Sequence, residues 1–307
     1  VKYNMAVYFF GDFLRETRLR KGYTQEEVSY GICTPASLSR IENGAQKPGR
    51  LILEKLFERL GTENNLFNSF VSREEMELYS AIQELIRNIT DDAVSKIETQ
   101  IEVVEKLAVN TSELEHQCLY FAKGELARQK EKDDEKAMEM YMKAIHITLP
   151  DFDGKNPLRN NLLTFDEIMI INSIAILYGN SENVITAIQL DMWLKEYMEN
   201  KIVDGKMKTT KYPMIMYNLS CWLEDKGCYR EELRMAEQGI DFCVKYGNLA
   251  LFPKLVLNKG GALVKMGDNE NARKYLHQAI TIFDAMGKLE IVQQVTAWCK
   301  DNCEFEI

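Results

Sequence analysis

Apolar residues recur along this chain at i, i+3, i+4 and i+7, the spacing of one buried helix face, and almost nowhere alternate as a half-buried strand would. The periodic stretches run about 12 to 20 residues between short polar connections, which predicts stacked antiparallel helix pairs and an all-α fold. Helix starts are marked chemically. Thr24 with Glu27, Ser72 with Glu75, Ser112 with Glu115 and Thr164 with Glu167 each set a hydroxyl three residues ahead of a carboxylate, so that both side chains can satisfy backbone donors at a helix start. Gly22, Gly44, Gly61, Gly179, Gly227, Gly247, Gly267 and Gly287 sit where the periodicity lapses, and left-handed C-terminal caps are expected there.

Beyond the first 72 residues the pattern predicts five pairs, about 73 to 107, 113 to 147, 165 to 199, 212 to 246 and 250 to 286, and a last helix from about 289 to 302 that caps the stack. Asn218 and Asn258 are 40 residues apart, as are Gly227 and Gly267, and Gly239-Ile240 and Ala279-Ile280; Ala144-Ile145 ends an earlier copy. A fixed period with small residues at helix crossings marks a solenoid, in which each pair buries its apolar face only against neighbours. The segments AKGELARQKEKDDEKAMEMYMKAI and NKGGALVKMGDNENARKYLHQAI resemble tetratricopeptide (TPR) units, Gly124, Ala137, Tyr141 and Ala144 matching Gly260, Ala272, Tyr275 and Ala279. The stretch NKIVDGKMKTTKYP, with Lys201, Lys206, Lys208 and Lys211, reads as a long solvated connection.

Composition adds exclusions. The 307 residues are 46% hydrophobic and 28% charged, as in a folded water-soluble protein rather than a disordered one. The net charge of −9 speaks against a nucleic-acid binder until it is divided along the chain. Residues 1–72 hold 10 Lys/Arg and 8 Asp/Glu of the chain's 38 and 47, so the front is +2 and the rest −11. Any DNA contact therefore belongs to the N-terminal part. Ile168–Leu177, the best candidate for a membrane span, is broken by Asn172 and Ser173, and Met5–Phe10 is too short for a signal peptide. A cytoplasmic protein with no membrane partner is expected. Seven cysteines without a CxxC pair predict reduced thiols, with Cys118, Cys221, Cys228 and Cys243 in the core.

From Phe10 to Gly61 the chain reads FGDFLRETRLRKGYTQEEVSYGICTPASLSRIENGAQKPGRLILEKLFERLG. Thr24 caps a short helix ending near Tyr30, Gly31-Ile32-Cys33 supplies a turn with an apolar plug, and Thr34 caps a second helix with Pro35 in its first turn. The run TQEEVSYGICTPASLSRIENG resembles the helix-turn-helix of the lambda-repressor-like (XRE) family. That resemblance implies that Gln25, Thr34 and Asn43 bind phosphates while Pro35, Ala36, Ser37, Ser39 and Arg40 face base edges in the major groove. Arg40 is the foremost base reader, since its fork matches guanine. The same resemblance implies that Arg18 and Glu42 form a partly buried ion pair between the first and third helices. A single recognition helix on a weakly basic domain makes few phosphate contacts, so a homodimer on an inverted-repeat operator in double-stranded DNA is expected.

The headpiece followed by five helix pairs and a cap resembles the Rgg/PlcR/PrgX (RRNPP) group of peptide-responsive quorum-sensing regulators over essentially the whole chain. This implies a lambda-repressor-like helix-turn-helix domain over residues 1–71 and a TPR-like right-handed helical superhelix over 72–307, for ligand binding and dimerisation. It also implies that a short signalling peptide lies on the concave face, held by repeat-borne asparagines. Asn172, Asn218 and Asn258 occupy comparable places in the first helices of three pairs, and an amide can pair with any peptide backbone. The same asparagines could instead bond an adjacent helix. A TPR-type protein-interaction module with an accessory headpiece, or a regulator with a small-molecule effector or none, fits the same pattern.

Signals of an enzyme fail. His116, His146 and His277 are isolated, no HExxH, Walker loop or GxSxG elbow occurs, and DFDGKN at Asp151–Asn156 lacks the closing glutamate of a calcium loop. No catalytic site, metal site or cofactor is expected.

Overall fold

The structure, a computed structural model, describes residues 2–62, 73–90, 94–108, 113–158, 160–201, 203 and 205–303. Among these every regular element is an α-helix, apart from one π-helical turn at Ala127–Glu131. The order is α1 (Lys2–Arg20), α2 (Gln25–Ser29), α3 (Pro35–Glu42), α4 (Arg50–Arg59), α5 (Arg73–Thr90), α6 (Val94–Leu107), α7 (Glu113–Leu126) and α8 (Asp134–Thr148). There follow α9 (Phe165–Gly179), α10 (Val184–Asn200), α11 (Gly205–Asp225), α12 (Tyr229–Tyr246), α13 (Phe252–Lys265), α14 (Asn269–Ala285) and α15 (Leu289–Asn302). The chain divides into two compact units, Val1–Leu177 with Ile202–Asp204, and Tyr178–Lys201 with Gly205–Ile307.

In the first unit Leu14, Val28, Leu38, Ile41, Leu56, Phe57 and Leu60 fuse α1 to α4 around one core, which Leu114 and Leu162 join from the repeat side. The repeat helices pack through the small residues expected at their crossings. A Cβ on Gly124 would lie 2.5 Å from the Tyr141 ring, and Ala137 and Ala144 are fully buried. Glu125, beside this crossing, accepts from Tyr141 Oη and Ser173 Oγ at 2.7 Å each and from Arg128 Nη2 at 2.6 Å. Burial pushes its carboxyl up, but Arg128 and these hydrogen bonds outweigh it and hold the group below the usual carboxylate range.

The second unit repeats the device. Cβ atoms on Gly239 and Gly260 would lie 2.9 Å from Leu255 and 2.8 Å from Leu276, and Ala272 and Ala279 are fully buried. Such close backbone approach at crossings is what lets each pair stack on the next.

Helix ends follow the sequence closely. Thr24 and Glu27 form a complete capping box, and Thr164 N donates to Glu167 at 2.5 Å while Glu167 N donates to Thr164 Oγ1 at 3.3 Å. Ser72 and Ser112 lie outside the described residues. Of the expected left-handed glycines, Gly22, Gly44, Gly61, Gly227, Gly247, Gly267 and Gly287 have φ between 57° and 80°.

Three local expectations fail. Gly179 is not left-handed: it ends α9 where a Cβ would collide with the Trp222 indole, so its smallness serves packing. The segment expected to connect the third and fourth pairs is largely helical, since α11 starts at Gly205 and carries Pro213 in its interior. Lys211 is buried in it, and Tyr212 Oη donates to Glu199 at 2.6 Å. Cys228, expected in the core, is the exposed N-cap of α12; all seven cysteines are free.

Candidate functional site

The helix-turn-helix is assembled from short-range chemistry. Thr24 ends one turn and opens α2; Thr34 opens α3, its Oγ1 accepting from Ser37 N at 3.1 Å, with Pro35 at a position whose N–H needs no partner. Between them Gly31 takes φ +66°, which a side chain would resist, and Ile32 plugs the core. Gly11 lets α1 approach the α3 backbone: a Cβ there would collide with the Ile41 carbonyl.

That packing presents Thr34, Pro35, Ala36, Arg40 and Asn43 to solvent, with Ser37, Ser39 and Gln25 half-buried. Arg40 is oriented on this surface by two bonds, Nε donating to Gln46 Oε1 at 3.0 Å and Nη2 to Ser37 Oγ at 3.1 Å. Gln46 was not singled out by sequence reasoning. Its position shortly after the Asn43-Gly44 turn is the only local hint.

Beneath the surface lies the expected ion pair. Arg18 Nε and Nη2 donate to the two Glu42 oxygens at 2.6 and 2.9 Å, and Nη1 donates to the Tyr23 carbonyl at 2.9 Å. The bond to Glu42 raises the Arg18 pKa further. Gln25 Nε2 also donates to Glu42, at 2.7 Å, so the residue assigned to a phosphate braces α2 against α3 in this state.

A second set of charges, unforeseen from sequence, joins α4 to the repeat helices of the same unit. Arg59 Nη2 pairs with Glu167 Oε1 at 2.7 Å, both side chains fully buried, and its Nη1 donates to the Tyr30 carbonyl. Lys55 Nζ lies 2.9 Å from Asp166 and 3.1 Å from Glu58, whose other oxygen accepts from Phe165 N at 3.0 Å. Burial raises the Glu58 carboxyl to about 8 against the pull of Lys55. Tyr30 Oη donates to Asp151, and burial with this bond pushes the phenol up to about 12. A Cβ on Gly31 would collide with the Thr148 carbonyl at the end of α8. The headpiece is thus seated on the start of α9 and the end of α8 by its α2–α3 turn and by α4, which leaves the outward residues of α3 clear.

The three asparagines divide between the units. Asn172, on α9, lies buried in the first. In the second, Asn218 Nδ2 donates to Asp191 Oδ2 at 3.3 Å, while Asn258 Nδ2 donates to Ser220 Oγ at 2.7 Å and Cys221 Sγ at 3.3 Å. Burial holds the Asp191 carboxyl well above its usual range despite Asn218, and its Oδ1 has no partner. Asn258 also lines a cleft of about 320 Å³ between α11, α13 and α15.

Among the described residues no cluster of His, Cys, Asp and Glu could hold a metal ion, and no helix is long and apolar enough to cross a membrane. In the DFDGKN turn Asp153 Oδ1 accepts from the backbone of Lys155 and Asn156 at 2.9 and 2.7 Å. That carboxylate is engaged in shaping a connection.

A family profile described as the RNPP family C-terminal domain matches residues 155–302, and one described as a helix-turn-helix domain matches residues 10–70. The uncharacterized HTH-type transcriptional regulator YqaF of Bacillus subtilis is 38% identical over 63 residues, 20% of this chain and 83% of that protein. Bacillus thuringiensis PlcR in its apo form aligns over 94% of this chain and 98% of that one, at 18% identity and a TM-score of 0.59. PlcR in complex with the peptide PapR7 and DNA aligns over 96% and 99%, at 18% and 0.58. The apo form of ComR from S. thermophilus aligns over 95% and 98%, at 17% and 0.52. At these identities the solved structures establish a shared all-helical fold. The relative, with the helix-turn-helix profile, shows that the chain belongs to the HTH-type transcriptional regulators, and its residues 155–302 match the RNPP family C-terminal domain.

Proposed function

We propose that this protein is a cytoplasmic, homodimeric transcription regulator that binds an inverted-repeat operator through α3 and is controlled by a short signalling peptide held by the repeat domain, residues 72–307. The observation that carries the proposal is the outward face of α3. There Arg40 is held by Ser37 and Gln46 over a helix locked to its neighbours by the Arg18–Glu42 pair. A guanidinium so fixed is prepared for the O6 and N7 of guanine, and Pro35 and Ala36 offer apolar contact to a thymine methyl. Ser37 and Ser39 complete the base-facing set, while Thr34, Asn43 and, once released from Glu42, Gln25 serve phosphates. The likeness to PlcR, whose structure holds a peptide and DNA, supports the peptide and the operator as partners. Asn172, Asn218 and Asn258 are the proposed peptide-holding residues.

The test is operator selection from random duplexes, followed by binding at varied salt. Salt-dependent binding to an inverted repeat with half-sites about 34 Å apart is expected. Loss of sequence preference in Arg40→Ala supports the assignment, and an unselective wild type would sink it. The bonds already made by Asn218 and Asn258 favour a second role, bracing neighbouring helices. Asn218→Ala that loses stability while keeping its peptide affinity would move that residue to the bracing role.

A further inference from the structure

We propose that the cleft between α11, α13 and α15 is a specificity subsite that accepts an apolar side chain next to a cationic group on the effector, and that Gly261 keeps it open. The inference rests on the effector being a peptide, as argued above.

Gly261 lies in the middle of α13, where glycine is among the least favourable residues, and packing does not account for it. Its neighbour Gly260 is needed, since a Cβ there would press on Leu276; at Gly261 nothing lies within 4 Å of the missing Cβ. Gly261 instead lines the cleft, with Leu257, Val295 and Trp298 supplying apolar walls. A bare stretch of helix backbone between such walls suits a ligand that approaches closely.

The cleft offers acceptors that suit a cation. Glu224 is half-buried in the wall of the cleft, and Lys265 acts on its carboxylate through charge. Asn258 uses its Nδ2 on Ser220 and Cys221, which leaves its carbonyl oxygen as an acceptor. Next to Glu224 in charge interaction is Glu232, fully buried with neither carboxylate oxygen partnered. Lys265 acts on both carboxylates but is itself held by Asn302 at 3.2 Å and lies 5.7 Å from the Trp298 ring centroid. Glu224 therefore presents a carboxylate beside an apolar hollow, with only the shared Lys265 acting on it as a counter-charge. A lysine or arginine side chain on the effector would supply a dedicated one.

The test uses the full-length protein and synthetic hexapeptides in which Leu or Phe is followed by Lys, against the same peptides with Gln in place of Lys, by titration calorimetry. Lys peptides are expected to bind about tenfold more tightly than their Gln counterparts, a preference erased in Glu224→Gln. Gly261→Ala is expected to raise the melting temperature, because alanine favours helix, and yet to weaken binding about tenfold. Peptides that bind without preference for Lys, or bind Gly261→Ala as well as wild type, overturn the subsite while the peptide reading survives. Should no hexapeptide bind although the operator does, both fall.

Discussion

Arg59 in the last turn of α4 and Glu167 in the first turn of α9 are ion-paired at 2.7 Å with both side chains entirely shielded from water. Glu167 also accepts from Thr164 N through its other oxygen, so one carboxylate both caps a repeat helix and receives the headpiece. Removing one partner of such a pair strands a buried charge, a loss of about 3–5 kcal/mol. Arg59→Met is therefore expected to lower the unfolding free energy by about that amount in urea titration. In Arg59→Met with Glu167→Gln the stranded group is neutral and still caps, so much of the loss should return. If single and double variants are equally unstable, the pair is not what joins the two parts.

On the DNA side, Arg40→Ala should cost about 1–3 kcal/mol at one base position and relax selectivity there. Gln46→Ala should have a smaller effect of the same kind, because Gln46 only positions the guanidinium. Fluorescence anisotropy on the selected operator and on variants of the contacted guanine distinguishes this from a phosphate role. A phosphate role would weaken all sequences alike and flatten the salt dependence.

What could be read from the sequence was whatever its neighbours in the chain dictate. Thr24 with Glu27 and Thr34 with Pro35 announce helix starts because cap chemistry is confined to four residues, and all of it is present. Gly124, Gly239 and Gly260 could be placed at crossings because the period repeats them. The pairing of Arg59 with Glu167 spans 108 residues and leaves no local trace. Arg18 with Glu42 spans 24 and was legible only through family likeness. Gly179 misled because a glycine at a helix end serves equally for a left-handed cap and for a close approach to an indole. Pro213 and the lysines before it hid the start of α11, whose tertiary contacts, such as Tyr212 on Glu199, override a weak local preference.

Gly179 gives a stability expectation in the second unit. Because its backbone is not left-handed, Gly179→Ala brings no backbone strain, only a methyl driven against Trp222. Overpacking of this kind costs about 1–3 kcal/mol. Adding Trp222→Phe, which shrinks the ring, should recover part of the loss in thermal unfolding. Were Gly179→Ala neutral, the close approach would not be limiting.

The second unit should also lose stability as pH rises through neutrality, for a reason located at Glu232. Burial raises this carboxyl to about 8, with Glu224 adding to the rise and Lys265 opposing it. A carboxyl raised in the folded state binds protons more tightly there than in the unfolded chain. Its contribution to stability is therefore complete below the ordinary carboxylate pKa and disappears as pH climbs towards 8. Glu232→Gln cannot ionise and should be more stable than wild type at pH 8, because the proton-linked contribution lost by the wild-type carboxyl is not lost by the amide. The two proteins should converge near pH 4, where the wild-type carboxyl is protonated. Glu58, also raised to about 8, leaves a residual slope in the variant, which Glu58→Gln would reduce in turn. Denaturant midpoints for the wild type and the single and double variants between pH 4 and pH 8 separate the contributions. A midpoint difference between wild type and each variant that stays constant over this range would contradict the assignment of that residue.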